Sequence, residues 1–198
     1  MENINIPIRL LKAALICTAK QDVRWYLTGV AIKDGAVSST DGHRMFTCEI
    51  DVPKDYEIII PRDALTAFLK QVKKEYLDLH AQVIQVKDEV YKLQVVNLKK
   101  GELLFVEQLF KPIDGKFPDV KRVIPDPIKR QECMPYYEWK YLVDFQKIAE
   151  ILGSRDGYFG LIVTGKNTSS VIDLSLSKFE DAIGVVMPKR DYLEQART

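Results

Sequence analysis

Charge of one sign is not in excess in this chain: its 198 residues carry 29 basic and 28 acidic side chains, a formal charge of +1. That balance excludes an overall polycation, so any affinity for nucleic acid has to come from how charge is placed on the surface. Cysteine is scarce too. Cys17, Cys48 and Cys133 lie far apart, with no CxxC pair, and the chain has 2 histidines. This spacing argues against a disulfide framework or a Cys/His zinc site and predicts buried thiols in a reducing compartment. No apolar run approaches the ~18 residues of a membrane span. Met1-Glu2-Asn3-Ile4 lacks the basic and apolar regions of a signal peptide. The expectation is a soluble, cytoplasmic protein with no membrane partner. Walker loops, dinucleotide-binding glycine fingerprints and nucleophile elbows are also missing. His43 beside Asp41 is the one arrangement with acid–base character, and a turn histidine is more ordinarily structural; His80 has no evident partner. Neither an enzyme nor a cofactor is expected.

What the chain does have is 46% hydrophobic residues, enough for a sizeable core, and one phrase that occurs three times. Each copy is a short apolar strand, a proline, an amphipathic helix and then several strands. The first copy is Ile4 to Pro7 with a helix over roughly Ile8 to Lys20. The second is Tyr56 to Pro61 with a helix from about Arg62 to Glu75. The third runs from Cys133 through Pro135 into a helix from about Glu138 to Leu152. Proline suits the start of a helix because its φ is already helical and its missing N–H would be unpaired there. Leu65, Phe68, Leu69 and Val72 recur at helical spacing, as do Leu11, Ala14 and Leu15, and Leu142, Phe145, Ile148 and Leu152.

Strand-rich runs follow each helix. After the first come Trp25 to Ile32, Ala36 to Ser39 and Arg44 to Ile50. After the second come Leu77 to Val86, Tyr91 to Asn97 and Leu103 to Phe110. After the third come Tyr158 to Thr164, Ser170 to Ser175 and Ile183 to Met187. β-branched and aromatic residues dominate them. The reading is an α+β protein of three βαβββ units. Two units make one complete domain over 1–125. Residues 126–198 hold a linker, a half domain without a mate in its own chain, and a short tail.

Four stretches then stand out in register on these units: Gln21-Asp22-Val23-Arg24-Trp25-Tyr26-Leu27-Thr28-Gly29, Thr40-Asp41-Gly42-His43-Arg44-Met45, Asp114-Gly115-Lys116-Phe117-Pro118-Asp119 with Arg122-Val123-Ile124-Pro125, and Val185-Val186-Met187-Pro188-Lys189-Arg190. In these the chain resembles the bacterial DNA polymerase III beta subunit, the sliding clamp family. Residues 1–125 resemble its middle domain and 131–190 the second half of its last domain. Val120 departs from the aromatic usual after Phe-Pro-Asp, Met45 replaces a common leucine, and 191–198 run past the family's usual end.

The resemblance implies a DNA-clamp fold and two surfaces. One is a helix layer with basic faces that touch the DNA backbone without reading bases, as counterion release allows. Its candidates are Arg9, Lys12, Lys20, Arg62, Lys70, Lys73, Lys74, Lys140 and Lys147, with Gln21 and Arg24 in the loop after the first helix. A plain solvated helix face is the alternative. The other surface is a pocket for short peptides of DNA polymerases and clamp-loader-type proteins. By resemblance its wall includes Leu27, Thr40, Gly42, Arg44, Met45, Pro125, Ser170, Val185 and Met187, with Trp25, His43, Tyr141 and Arg190 at the rim. Arg44 or Arg190 would orient the peptide, and methionine offers an adaptable apolar surface. Leu27, Val185 and Met187 also read as ordinary core residues. The family's ring contains twelve βαβββ units, which four copies of this chain would supply; a homo-oligomer is expected, a tetramer before a dimer. The other reading is a peptide-binding decoy or adaptor that never encircles DNA.

Overall fold

The computed structural model describes residues 3–126, 133 and 135–189. Two antiparallel sheets carry a layer of three helices. In the first unit, β1 (Ile4–Pro7) leads into α1 (Ile8–Cys17), followed by β2 (Gly29–Lys33), β3 (Ala36–Thr40) and β4 (Arg44–Glu49). In the second, β5 (Ile58–Pro61) and α2 (Arg62–Gln71) precede β6 (His80–Lys87), β7 (Val90–Asn97) and β8 (Glu102–Phe110). The third consists of α3 (Trp139–Leu152), β9 (Gly160–Ile162), β10 (Ser170–Asp173) and β11 (Ile183–Val186).

The first two units exchange their opening strands. β1 pairs with β6 of the second unit, so that Ile4 faces Val83, while β5 pairs with β2 of the first, so that Val30 faces Ile60. One sheet runs β1-β6-β7-β8. The other runs β5-β2-β3-β4-β11-β10-β9, because β11 of the third unit adds to β4. The large sheet thus crosses the linker expected near residue 126. Its partner helices follow: α3 packs on α1, and α1 on α2.

One core lies between helices and sheets. Ile6, Leu11, Phe46, Phe68, Phe145 and Ile148 are among its fully buried members. A smaller cluster of Ala19, Leu27, Ala31, Ile59 and Phe117 forms apart from it. Gly184 on β11 is required by packing: a Cβ there would stand 2.3 Å from Phe145 Cε1. Cys17 and Cys48 are buried free thiols, and burial pushes each pKa up to about 12; Cys133 is half-buried.

The elements differ from expectation mainly at their ends. α1 stops at Cys17 rather than Lys20, because Thr18 turns extended and its hydroxyl donates to the Leu15 carbonyl at 2.8 Å. α2 stops at Gln71 rather than Glu75, with a 3₁₀ turn over Lys74–Tyr76 beyond it. Trp25–Thr28, expected to begin a strand, closes a 3₁₀ turn instead. There the Thr28 hydroxyl donates to the Trp25 carbonyl, and the Trp25 indole N–H donates to the Asp114 carbonyl at 2.7 Å. The strand expected before α3 appears as one bridge, Tyr136 to Lys189.

Candidate functional site

The β4–β11 seam creates a cleft. Met45 lies opposite Val185 in that pairing, and Arg44 opposite Val186. Met45 and Val185 are buried yet belong to neither core cluster, whereas Phe46 and Val186 enter the main core. Beyond β11 the Met187 N–H donates to the His43 carbonyl at 2.9 Å, which ties the end of the third unit to the turn before β4.

That turn is built by its own side chains. Asp41 Oδ1 accepts from the His43 and Arg44 N–H groups at 3.0 and 3.1 Å, and Thr40 Oγ1 accepts from the Gly42 N–H at 3.0 Å. Short polar side chains that bond their own backbone favour this geometry. Gly42 has φ +87, and a Cβ there would meet Arg24 Nη2 at 2.9 Å. Arg24 lies over the turn, held by Asp22 through Nη2–Oδ2 at 2.9 Å. Its hydrogen bonds hold the Asp22 carboxyl down at about 2.

The cleft encloses about 210 Å³. Leu27, Thr40, Gly42, His43, Arg44, Met45, Val185 and Met187 line it, drawn from separate parts of the chain. Leu27 also belongs to the small second cluster, so it serves as core and wall together. Sequence reasoning missed the opposite wall, which is Pro118, Asp119, Val120 and Val123. Phe117, 2% exposed in the second cluster, anchors that segment. The available signal was the Phe-Pro-Asp motif itself, a patterned stretch with neither helix nor strand periodicity. Met187 and Val123 are 42% and 49% exposed, so the cleft presents apolar surface to solvent.

Other expected pocket residues stand elsewhere. Trp25 is directed to Asp114, and Pro125 is half-buried off the lining. Ser170 is fully buried and bonds the Tyr137 hydroxyl at 2.5 Å. Tyr141 is buried behind the turn, stacked on His43 with ring centres 6.1 Å apart. Arg190 lies outside the described residues. Arg44 borders the cleft, but its guanidinium is engaged by Asp41 at 3.1 Å, by Asp144 of α3 and by the Ile16 carbonyl at 3.0 Å, and it lies 4.9 Å from the Tyr141 ring centre. Arg44 thus lines the cleft while its guanidinium clasps the first unit to the third. Arg24, expected on DNA, lines the cleft.

The basic helix layer divides in two. Arg62 donates to the Leu15 and Thr18 carbonyls and to the Thr18 hydroxyl. With Arg44 on Ile16, it satisfies the C-terminal carbonyls of α1, a helix end with no basic residue of its own. Arg9 pairs with Asp78 through two bonds of 2.8 and 3.1 Å and also reaches the Ile151 carbonyl. Arg9 and Arg62 thus tie parts of the fold together, Arg9 joining α1 to Asp78 and to α3, and Arg62 joining α2 to the end of α1. Lys147 pairs with Asp144 at 2.8 Å, and Lys140 with Glu138 at 2.6 Å. Lys73 lies near the Tyr76 ring. Lys12, Lys20, Lys70 and Lys74 form no ion pair among the described residues; Lys20, Lys70 and Lys74 are exposed, as is Gln21. Lys20, Lys73 and Lys74 lie past the helix ends rather than on helix faces.

Among the described residues no group of three or more His, Cys, Asp or Glu side chains could hold a metal, and no helix is long and apolar enough to cross a membrane.

Paired βαβββ units with exchanged opening strands and helices on one side define the class as the DNA-clamp fold. Solved sliding clamps share it: the Pseudomonas aeruginosa DNA polymerase III subunit beta superposes with TM-score 0.66 at 19% identity, covering 96% of this chain and 67% of that one. The Bacillus subtilis DNA polymerase sliding clamp superposes with TM-score 0.67 at 17% identity, covering 96% and 65%. The profile of the DNA polymerase III beta subunit central domain matches residues 5–119, and the chain belongs to that family. The beta sliding clamp of Pseudomonas putida is 30% identical over 125 residues, 59% of this chain and 31% of its own length. That of Escherichia coli K12 is 27% identical over 133 residues, 63% of this chain and 33% of its own. The chain thus spans about a third of the length of these curated relatives.

Proposed function

We propose that this chain is a non-enzymatic sliding clamp protein of the cytoplasm, which holds double-stranded DNA without reading its sequence and recruits DNA polymerase and clamp-loader-type proteins through short peptides. The observation that carries this reading is the cleft. Leu27, the 40–45 turn, Val185 and Met187, from separate parts of the chain, line one hollow. That both sides of the β4–β11 seam contribute to its lining supports a binding site there. An apolar hollow with a flexible thioether at its mouth suits leucine and aromatic side chains, and the Arg24–Asp22 pair supplies polar groups at the rim.

Lys12 and Lys70 on the helices and Lys20 and Lys74 just past their ends, without ion pairs among the described residues, are the candidates for phosphates, with Lys73, Lys140 and Lys147 as further ones. Gln21 stands in the adjoining loop. A ring would reach twelve units with four copies, the third units of two copies completing one domain about a two-fold axis.

The test is anisotropy with a fluorescent peptide rich in glutamine, leucine and aromatics. Met187→Lys should weaken binding at least about tenfold, roughly 1.4 kcal/mol, without altering the far-ultraviolet circular dichroism. Unchanged affinity would remove the cleft from the proposal. On DNA, Lys70→Glu with Lys74→Glu should weaken binding and flatten its salt dependence by about 0.9 in log–log slope per lost phosphate contact. Peptide binding with no DNA retention at any salt would mark a competitor for a clamp's partners instead.

A further inference from the structure

We propose that a second hollow, next to the cleft on the outer face of the large sheet, is a docking site for a lysine- or arginine-bearing segment of the same partner peptide. It encloses about 270 Å³. The β3–β4 pairing builds it: Ser38 faces Thr47 and Ala36 faces Glu49, while Val37 and Cys48, which alternate with them, point into the main core. Ala36, Phe117, Val120, Ile124 and Ile183 supply its apolar lining. Ser38 and Thr47 line it too, only 4% and 7% exposed, and their hydroxyls bond each other at 2.8 Å. Two hydroxyls that share one hydrogen bond keep one O–H to donate, and neither has another side-chain partner among the described residues. A buried donor of this kind favours an acceptor brought from outside, and a peptide carbonyl is one.

Charge selects the occupant. Asp34, Glu49, Glu180 and Asp181 line the hollow, are exposed, and form no ion pair among the described residues. Lys33 also lines it, but Glu57 holds that ammonium at 2.8 Å; Asp119 is held by Arg122 at 3.1 Å. The mouth is therefore acidic, with Lys121 as the opposing charge. Such a mouth repels phosphate and draws lysine or arginine, whose methylene stem can lie on the apolar lining while its head stays among the carboxylates. Position gives the source of the segment. Pro118, Asp119 and Val120 line both the hollow and the cleft. Along β3, β4 and β11 the cleft takes Thr40, Met45 and Val185, and the hollow takes Ser38, Thr47 and Ile183, each the next residue on the same face. Two residues of strand are about 7 Å, so an extended peptide leaving the cleft reaches the hollow within a few residues. Because one partner fills both, this site rests on the peptide-binding role proposed for the cleft.

Anisotropy on the full chain tests it with two fluorescent peptides rich in glutamine, leucine and aromatics, one plain and one extended at both ends by Lys-Leu-Lys. At low salt the extended peptide should bind the wild-type chain at least about fivefold more tightly than the plain one. Glu49→Lys with Asp181→Lys should abolish that gain and leave the plain peptide's affinity and the circular dichroism unchanged. The milder Glu49→Gln with Asp181→Asn should remove part of the gain, and it reads the result if the lysine variant misfolds. Glu75→Lys with Glu102→Lys, the same charge change at other exposed positions, should keep the gain. An extended peptide that binds no more tightly than the plain one, or a gain lost equally in the Glu75 and Glu102 variant, overturns the proposal and leaves the cleft in place. A plain peptide that does not bind, beside an extended one that binds through Glu49 and Asp181, removes the cleft and supports this hollow. If neither peptide binds, both sites fall.

Discussion

The first unit is joined to the second and to the third in different ways. With the second it exchanges opening strands, β1 for β5, so neither sheet is complete until both units are folded. With the third it meets edge to edge at β4 and β11, reinforced by Arg44–Asp144 and by Asp78, which receives Arg9 from α1 and Lys178 from the third unit. The exchanged union is threaded and the docked one is an edge-to-edge joint. The candidate cleft opens beside the docked seam, between the β4–β11 pair and the 118–123 segment. A binding site is easier to place at such a seam than inside a threaded core, where close packing leaves no room.

The largest expected effect tests that contrast directly. Phe145 is fully buried and presses on Gly184, so Phe145→Ala should cost about 3–5 kcal/mol. In hydrogen exchange the loss should fall on α3 and β9–β11, while β1 and β6–β8 keep their protection. Equal loss across both sheets would mean that the docked union is as cooperative as the exchanged one.

Arg44→Ala should cost less, about 1.5–3 kcal/mol, because it strips charged hydrogen bonds from Asp144, Asp41 and the Ile16 carbonyl at a partly buried site. Denaturant titration reads it, and Arg44→Lys should rescue only part, since one ammonium cannot reach all three acceptors. Full rescue by lysine would reduce the clasp to simple charge.

Acid should have the smallest effect. Burial raises the Asp144 pKa, but hydrogen bonds from Lys147 and Arg44 outweigh it and hold the carboxyl below its usual range. Asp78 is held lower still by Arg9 and then Lys178. Groups depressed in the folded state stabilise it fully above the ordinary carboxylate value of about 3.9 and lose that contribution as pH falls. Both are partly exposed, so solvent screening keeps the effect modest. Below pH about 4 the third unit's amides should exchange faster before those of the first two units do. Loss of all protection in one step would sink this reading.

Much of the fold was legible because it rests on local patterns. The three helices, two of them capped by proline, their apolar stripes and nearly every strand follow from spacing and residue type, and the turn at Thr40–Arg44 announces itself by its Asp-Gly. Half of the candidate cleft was likewise readable from motifs on β4 and β11. The wall at Pro118–Val123 was not, since that segment has no periodicity and is held by Phe117 inserting into a cluster of distant residues.

Charge was the least legible property. A periodic pattern says that Arg9 and Arg62 leave the apolar stripe, and nothing about what they meet. Asp78 and the end of α1 lie far from them in the chain, and only folding brings them near. By itself the sequence determined the repeated unit, its element order and the residues that form its core, because these depend on neighbours within a few positions. Tertiary structure decided which units exchange strands, which dock, which arginines are consumed and where a cleft and a second hollow remain, because hydrogen bonds and ion pairs go to whichever group is closest in space.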